Sequence, residues 1–142
     1  MGVYIPNRSY PVIVQIRDAI EALAGLYKAQ GVIIFGANAT TTKIITIYSI
    51  VFEFLASGTA VSPAITVRIG STLTITRNNL LAALASLIPV ELKKPLVTAV
   101  AVSTNEIDLT YYDVGSVGNV TITTDDGNIT VDGMSGGTDA EG

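Results

Sequence analysis

Residues 31–55, GVIIFGANATTTKIITIYSIVFEFL, decide what kind of fold this chain adopts. Val, Ile, Phe, Tyr and Thr crowd both ends of the stretch, and β-branched and aromatic side chains suit a pleated, half-buried surface. GVIIF (31–35) reads as a strand and GANATTT (36–42) as a polar turn. KIITIYSIVFEFL (43–55) reads as two strands sharing a tight turn near Tyr48-Ser49, or as one bent strand.

Toward the C-terminus, ASGTAVSP (56–63) is a loop and AITVRI (64–69) a strand with Ile65, Val67 and Ile69 on one face. TRNNLLAALASLI (76–88) has helical spacing instead: Leu80, Leu84, Leu87 and Ile88 share a face, Thr76 is placed to cap it and Pro89 to end it. VTAVAVS (97–103) and EIDLTYYD (106–113) predict a strand pair joined at Thr104-Asn105. In the second strand Ile107, Leu109 and Tyr111 face inward, while Glu106, Asp108 and Thr110 face outward. NVTIT (119–123), the Asp-Gly turn TDDGN (124–128) and ITV (129–131) predict one more hairpin. GMSGGTDAEG (133–142) reads as a Gly-rich tail.

Toward the N-terminus, residues 1–10 read as an extended arm, because Pro6 and Pro11 disfavour helix just before them. PVIVQIRDAIEALAGLYK (11–28) predicts a helix capped by Ser9, with Ile13, Ile16, Ile20, Leu23 and Tyr27 at alternating spacings of three and four. Either this stripe packs on the chain's own sheet or it forms the seam of an assembly. Ile at both a and d positions favours three or more strands, hence a homotrimer. The expected fold is α+β: a β-rich single domain of β-sandwich-like antiparallel sheets, with an N-terminal helix and one internal helix. The expected division is an arm and oligomerisation helix over 1–30 and a β-rich module over 31–142.

Composition narrows the chemistry. The chain has no Cys, His or Trp, so it lacks thiolate chemistry, disulfides, the usual general base near neutral pH and the commonest transition-metal ligand. We therefore expect no enzyme, cofactor or metal centre. Apolar residues make up 49% and charged residues 14%, against about 25% charged in an average soluble domain. Neighbouring subunits are the expected cover for that apolar excess. No apolar stretch approaches the ~20 residues that span a bilayer, and no signal-peptide pattern opens the chain, so a membrane location is not expected. Residues 1–103 carry a net charge of +4 and residues 104–142 a net charge of −8. The bases are scattered rather than clustered with aromatics, which argues against nucleic acid.

The order of pieces resembles a module of tailed-bacteriophage virion proteins. The resemblance spans about residues 31–140 and rests on Ile69-Gly70, Asn79 to Leu84, Gly118-Asn119 and Ser135 to Asp139 in sequence. Thr40-Thr41-Thr42-Lys43 stands where the module usually has a Gly-Asp turn. Such modules occur in capsid decoration (cement) proteins, head fibres and tail-associated proteins. The resemblance implies a virion protein on the outer capsid surface, with the major capsid protein and further copies of itself as partners. Val3, Tyr4, Ile5 and Arg8 of the arm are the expected capsid contacts, and the alternative is a tail or fibre component with a receptor- or glycan-binding surface.

Other constellations read as structure. Asp125, Asp126, Asp132 and Asp139 lie near glycines but match no calcium loop, and read as solvated turn-formers. Glu106 and Asp108 share one strand face, without a His or Lys partner, and read as solvated. Lys93-Lys94 reads as surface solubilisation, and the glycines form no phosphate-binding loop. The sequons at Asn38, Asn119 and Asn128 are expected by chance in a Thr-rich β sequence.

Overall fold

The structure, a computed structural model, describes residues 26–139. The expected arm, the helix over 11–25 and the tail beyond 139 lie outside the described residues. Among the described residues eight strands and one helix follow in order: β1 (Lys28–Phe35), β2 (Ile44–Ile47), β3 (Ile50–Leu55), β4 (Ile65–Arg68), α1 (Leu73–Ala85), β5 (Val97–Val102), β6 (Glu106–Val114), β7 (Ile122–Thr124) and β8 (Ile129–Ser135). A short 3-10 turn, Ser116–Gly118, follows β6.

The strands form two four-stranded sheets, ordered β5-β6-β1-β8 and β4-β3-β2-β7. Alternation places one face of each strand in a shared core. Ile33 and Phe35 of β1, and Ile107 and Leu109 of β6, meet Ile45, Ile47, Phe52 and Phe54 of the other sheet in one buried cluster. Phe35 and Phe54 touch edge to face, 6.0 Å between centroids. β6 follows its predicted alternation, with Ile107, Leu109 and Tyr111 buried. The turn at Tyr48-Ser49 is also as expected: Ile47 pairs with Ile50, and both turn residues have positive φ, 50° and 65°. Two consecutive left-handed residues match the twist of a two-residue hairpin.

Four expectations are corrected. The antiparallel pattern breaks at β3–β4, which pair parallel. Residues 56–64 therefore run back along the sheet instead of closing a hairpin. Tyr27 and Lys28 are not the end of a helix: Tyr27 bridges Thr138 and Lys28 opens β1, inside the segment assigned to the arm and helix. The internal helix starts a turn earlier than predicted. Thr72 is its N-cap, accepting from the Ile75 N–H at 3.2 Å, and Thr76 is a buried interior residue. The helix ends at Ala85, so Leu87 lies beyond it, half-buried, and Ile88 is exposed.

The fourth correction concerns the Asp-Gly turn. β7 pairs with β2 and β8 with β1, so residues 125–128 carry the chain from one sheet to the other. A single backbone bond, Met134 N–H to the Val120 carbonyl at 2.8 Å, stitches the sheets together on that side. On the other side α1 fills the gap between β4 and β5, with Leu80 and Leu84 wholly buried. Arg77, also buried, donates to the Ser103 carbonyl at 2.7 Å and so fixes the helix to the β5–β6 turn.

Candidate functional site

The two ends of the sandwich differ in chemistry. The far end, where β1 finishes, is a polar network. Asp126 is 3% exposed; its carboxylate accepts from the Thr40 N–H at 2.7 Å and the Asn128 N–H at 3.0 Å. Asn128 donates through its amide to the Asn38 carbonyl at 2.9 Å. Asn38 in turn donates to the Gly70 carbonyl at 2.9 Å and accepts from the Thr76 hydroxyl at 2.6 Å. A Cβ on Gly70 would overlap the Ile75 side chain, which is why a glycine follows Ile69. Asp126 was expected in solvent; it is instead the anchor of the 36–42 loop. Asp125 is exposed and accepts from the Ile44 N–H at 2.8 Å.

The other end is where residues 1–25 join the domain; we call it the entry end. Tyr27 accepts through its carbonyl from Gly115 and Thr138, at 3.0 and 3.2 Å. Asn119 and Gly137 exchange two hydrogen bonds, both 2.9 Å. Asp139 accepts from the Ser116 N–H at 2.9 Å and from its hydroxyl, and these bonds hold its carboxyl below the usual range. The Ser135-to-Asp139 signature is thus the strap that closes this end. The Tyr48 hydroxyl donates to the Gly118 carbonyl at 2.7 Å, and burial, then neighbouring Tyr111, push it above the ordinary phenol range. Tyr111 packs on Tyr48 and Tyr112 at 5.2 and 4.7 Å, and a Cβ on Gly118 would lie 2.8 Å from the Tyr111 ring. The Lys94 ammonium sits 5.3 Å from the Tyr112 ring centroid.

Apolar side chains remain exposed around this end. Val90 is 89% exposed, and Tyr27, Ile88 and Val117 are each more than half exposed. Ile88 and Val90 belong to the loop between α1 and β5, and Val117 to the turn after β6. Sequence reasoning missed this collar because Ile88 was assigned to a buried helix face; the signal was an apolar run, LIPV (87–90), broken by Pro89.

The expected interface residues are not brought together by what is described. Val3, Tyr4, Ile5, Arg8, Ile13, Ile16, Ile20 and Leu23 lie outside the described residues. Tyr27 sits at the entry end on a strand-like bridge rather than in a helical stripe.

The outer face of the β5-β6-β1-β8 sheet carries a groove of about 470 Å³ lined by Gln30, Val32, Asp108, Thr110, Asp132 and Ser135 among others. Glu106 lies two residues from Asp108 on β6, and a hydrogen bond with Asp108 raises the Glu106 carboxyl above its ordinary value. Both are partly buried rather than freely solvated. Among the described residues no three acidic groups converge to hold a metal ion. Among them, too, no helix is long and apolar enough to cross a membrane. The amides of all three sequon asparagines are engaged in bonds within the chain. Neither a protein-family model nor a curated protein matches this sequence.

Proposed function

We propose that this chain is a structural protein of a tailed-bacteriophage virion, a decoration protein that binds outside the major capsid protein lattice and stabilises it. The observation that carries this is the entry end. Four of the eight exposed large apolar side chains among the described residues, Tyr27, Ile88, Val90 and Val117, lie on the loops and strand ends of the end of the sandwich where the described chain begins. A collar of apolar surface around the root of a segment is what a docking end needs. Val3, Tyr4 and Ile5, with Arg8, would anchor the arm on a capsid protein, and Ile13, Ile16, Ile20 and Leu23 would join copies into a homotrimer. Burial of each apolar anchor contributes roughly 1.5–3 kcal/mol before the entropy of ordering the arm is subtracted. Repetition over a lattice turns a small net gain per copy into a large barrier to rupture. The groove beside Asp108 and Asp132, lined with Gln30, Thr110 and Ser135, favours the second reading, a tail or fibre part with a glycan-binding surface.

Adding the purified chain back to particles that lack it tests the proposal. The full chain is expected to bind and to delay heat-induced DNA release, and a chain without residues 2–9 to bind weakly while keeping its own melting temperature. No binding by the full chain would refute the decoration role. Unchanged binding with a lowered melting temperature would make the arm internal packing.

A further inference from the structure

Two of the four sheet edges among the described residues, β7 and β8, are joined by the fold itself. The β7 and β8 sides meet through the Val120–Met134 bond, and α1 packs against both β4 and β5. β5 differs. α1 packs against it, yet Thr98, Val100, Ala101 and Val102 remain exposed, with Val100 at 53%.

The orientation of its backbone follows from its neighbours. Tyr112 N–H bonds the Leu96 carbonyl at 3.1 Å, and Phe35 N–H bonds the Asn105 carbonyl at 2.8 Å. In the register of β5, β6 and β1, even-numbered residues of β6 therefore bond β5 and odd-numbered ones bond β1. It follows that Val97, Ala99 and Ala101 direct their N–H and C=O groups away from β6; Val97 is buried within the chain, so the open part of the edge is at Ala99 and Ala101. Among the described residues no hydrogen bond joins those groups to another part of the chain.

Such an edge is a template for pairing, and proteins usually blunt one with Lys, Pro or a bulge. VTAVAV (97–102) has none of these: it is uncharged, β-branched and regular in register. We propose that two copies of this chain pair through their β5 edges, antiparallel about a two-fold axis at Val100, to make one continuous eight-stranded sheet.

The register is dictated by the pleat. Inward residues must face inward residues, so Val100 lies opposite itself and Thr98 opposite Val102. Ala99 and Ala101 then form the hydrogen-bonded pairs. Charge agrees. Lys93-Lys94 precedes β5 and Glu106 follows its turn, so antiparallel pairing sets the basic end of one copy beside the acidic end of the other. The two inserted β5 strands also hold the Asp108 rows about 14 Å apart, three strand spacings, beyond the ~8 Å screening length at physiological salt. The second copy is thus a fitting occupant on backbone, side-chain and charge grounds.

The pairing does not depend on the virion role. The Ile-rich stripe is a different surface, and the two contacts together would link trimers across two-fold axes.

The full chain, which has no Cys, allows a clean test by single thiols. Residues opposite each other in a non-hydrogen-bonded pair have Cα atoms about 4.5 Å apart, within disulfide reach. Val100→Cys is expected to give a disulfide-linked dimer on mild oxidation. Val102→Cys is expected to give almost none, because the two copies of residue 102 lie roughly 13 Å apart along the strands. Ala101→Pro removes only an outward N–H and is expected to halve the particle mass in light scattering. Equal crosslinking at 100 and 102, or none at 100, would overturn the proposal. So would an Ala101→Pro protein with native circular dichroism and unchanged mass. If Ala101→Pro does not fold, the thiol pair decides.

Discussion

Asp126 shows how one side chain can be misjudged by its company. It sits in TDDGN, a sequence that advertises a solvated turn, yet it is almost wholly buried. No cation is needed to hold it. The carboxylate is stabilised by N–H groups of Thr40 and Asn128, and hydrogen bonds to a charged acceptor contribute about 1.5–3 kcal/mol each. Asp126→Ala leaves both donors in a part-buried loop without an acceptor. It is expected to lower unfolding free energy in urea by about 2–4 kcal/mol, with Asp126→Asn costing less. A change under ~0.5 kcal/mol would mean that water replaces the carboxylate freely. Asp125, one residue earlier and exposed, is the matched control. Nothing in the sequence separates the two: neighbours of the same type on opposite sides of a chain corner differ only once the corner is known.

At the scale of elements, strands were legible and the helix boundaries were not. Alternation in EIDLTYYD and the β-branched run KIITIYSIVFEFL fix faces because a slip by one residue would turn every apolar side chain outward. The helix begins with LTIT, a sequence with strand-like propensity, and two threonines four residues apart compete for the cap. Thr76 loses because its hydroxyl is used by Asn38 and Gly70, a contact visible only when the loop at 36–42 folds over it. α1 holds its place through a narrow buried stripe, Thr76, Arg77, Leu80 and Leu84. Leu84→Ala is therefore expected to cost about 2–5 kcal/mol in chemical denaturation, whereas the exposed Ala82→Ser should cost under ~1 kcal/mol. Equal effects would show that α1 is not the plug that closes the sandwich. The β7–β8 crossing was illegible for a different reason. An Asp-Gly turn marks a reversal of direction, but not whether the next strand pairs with the last or enters the opposite sheet.

For the whole molecule, six of the eight exposed large apolar side chains among the described residues lie at the entry end or on the edge strand β5; Val61 and Ile75 lie elsewhere. The polar network sits at the far end. That polarity suits a protein that docks by one end and presents the other to solvent. Only part of it could be read in advance. Composition showed an apolar excess, but where the excess lies depends on which loops meet, and LIPV and Val117 are far apart in sequence. The arm and the Ile-rich stripe are expectations from sequence that lie outside the described residues; the end of the sandwich at which the chain enters could not be read in advance.

Copy number in purified particles tests the decoration role most directly. Quantitative mass spectrometry of the virions to which we propose the chain belongs would compare it with the major capsid protein in the same sample. A decoration protein is expected at hundreds of copies per particle, in a fixed ratio to the major capsid protein. A handful of copies co-purifying with tails, or none at all, would contradict it.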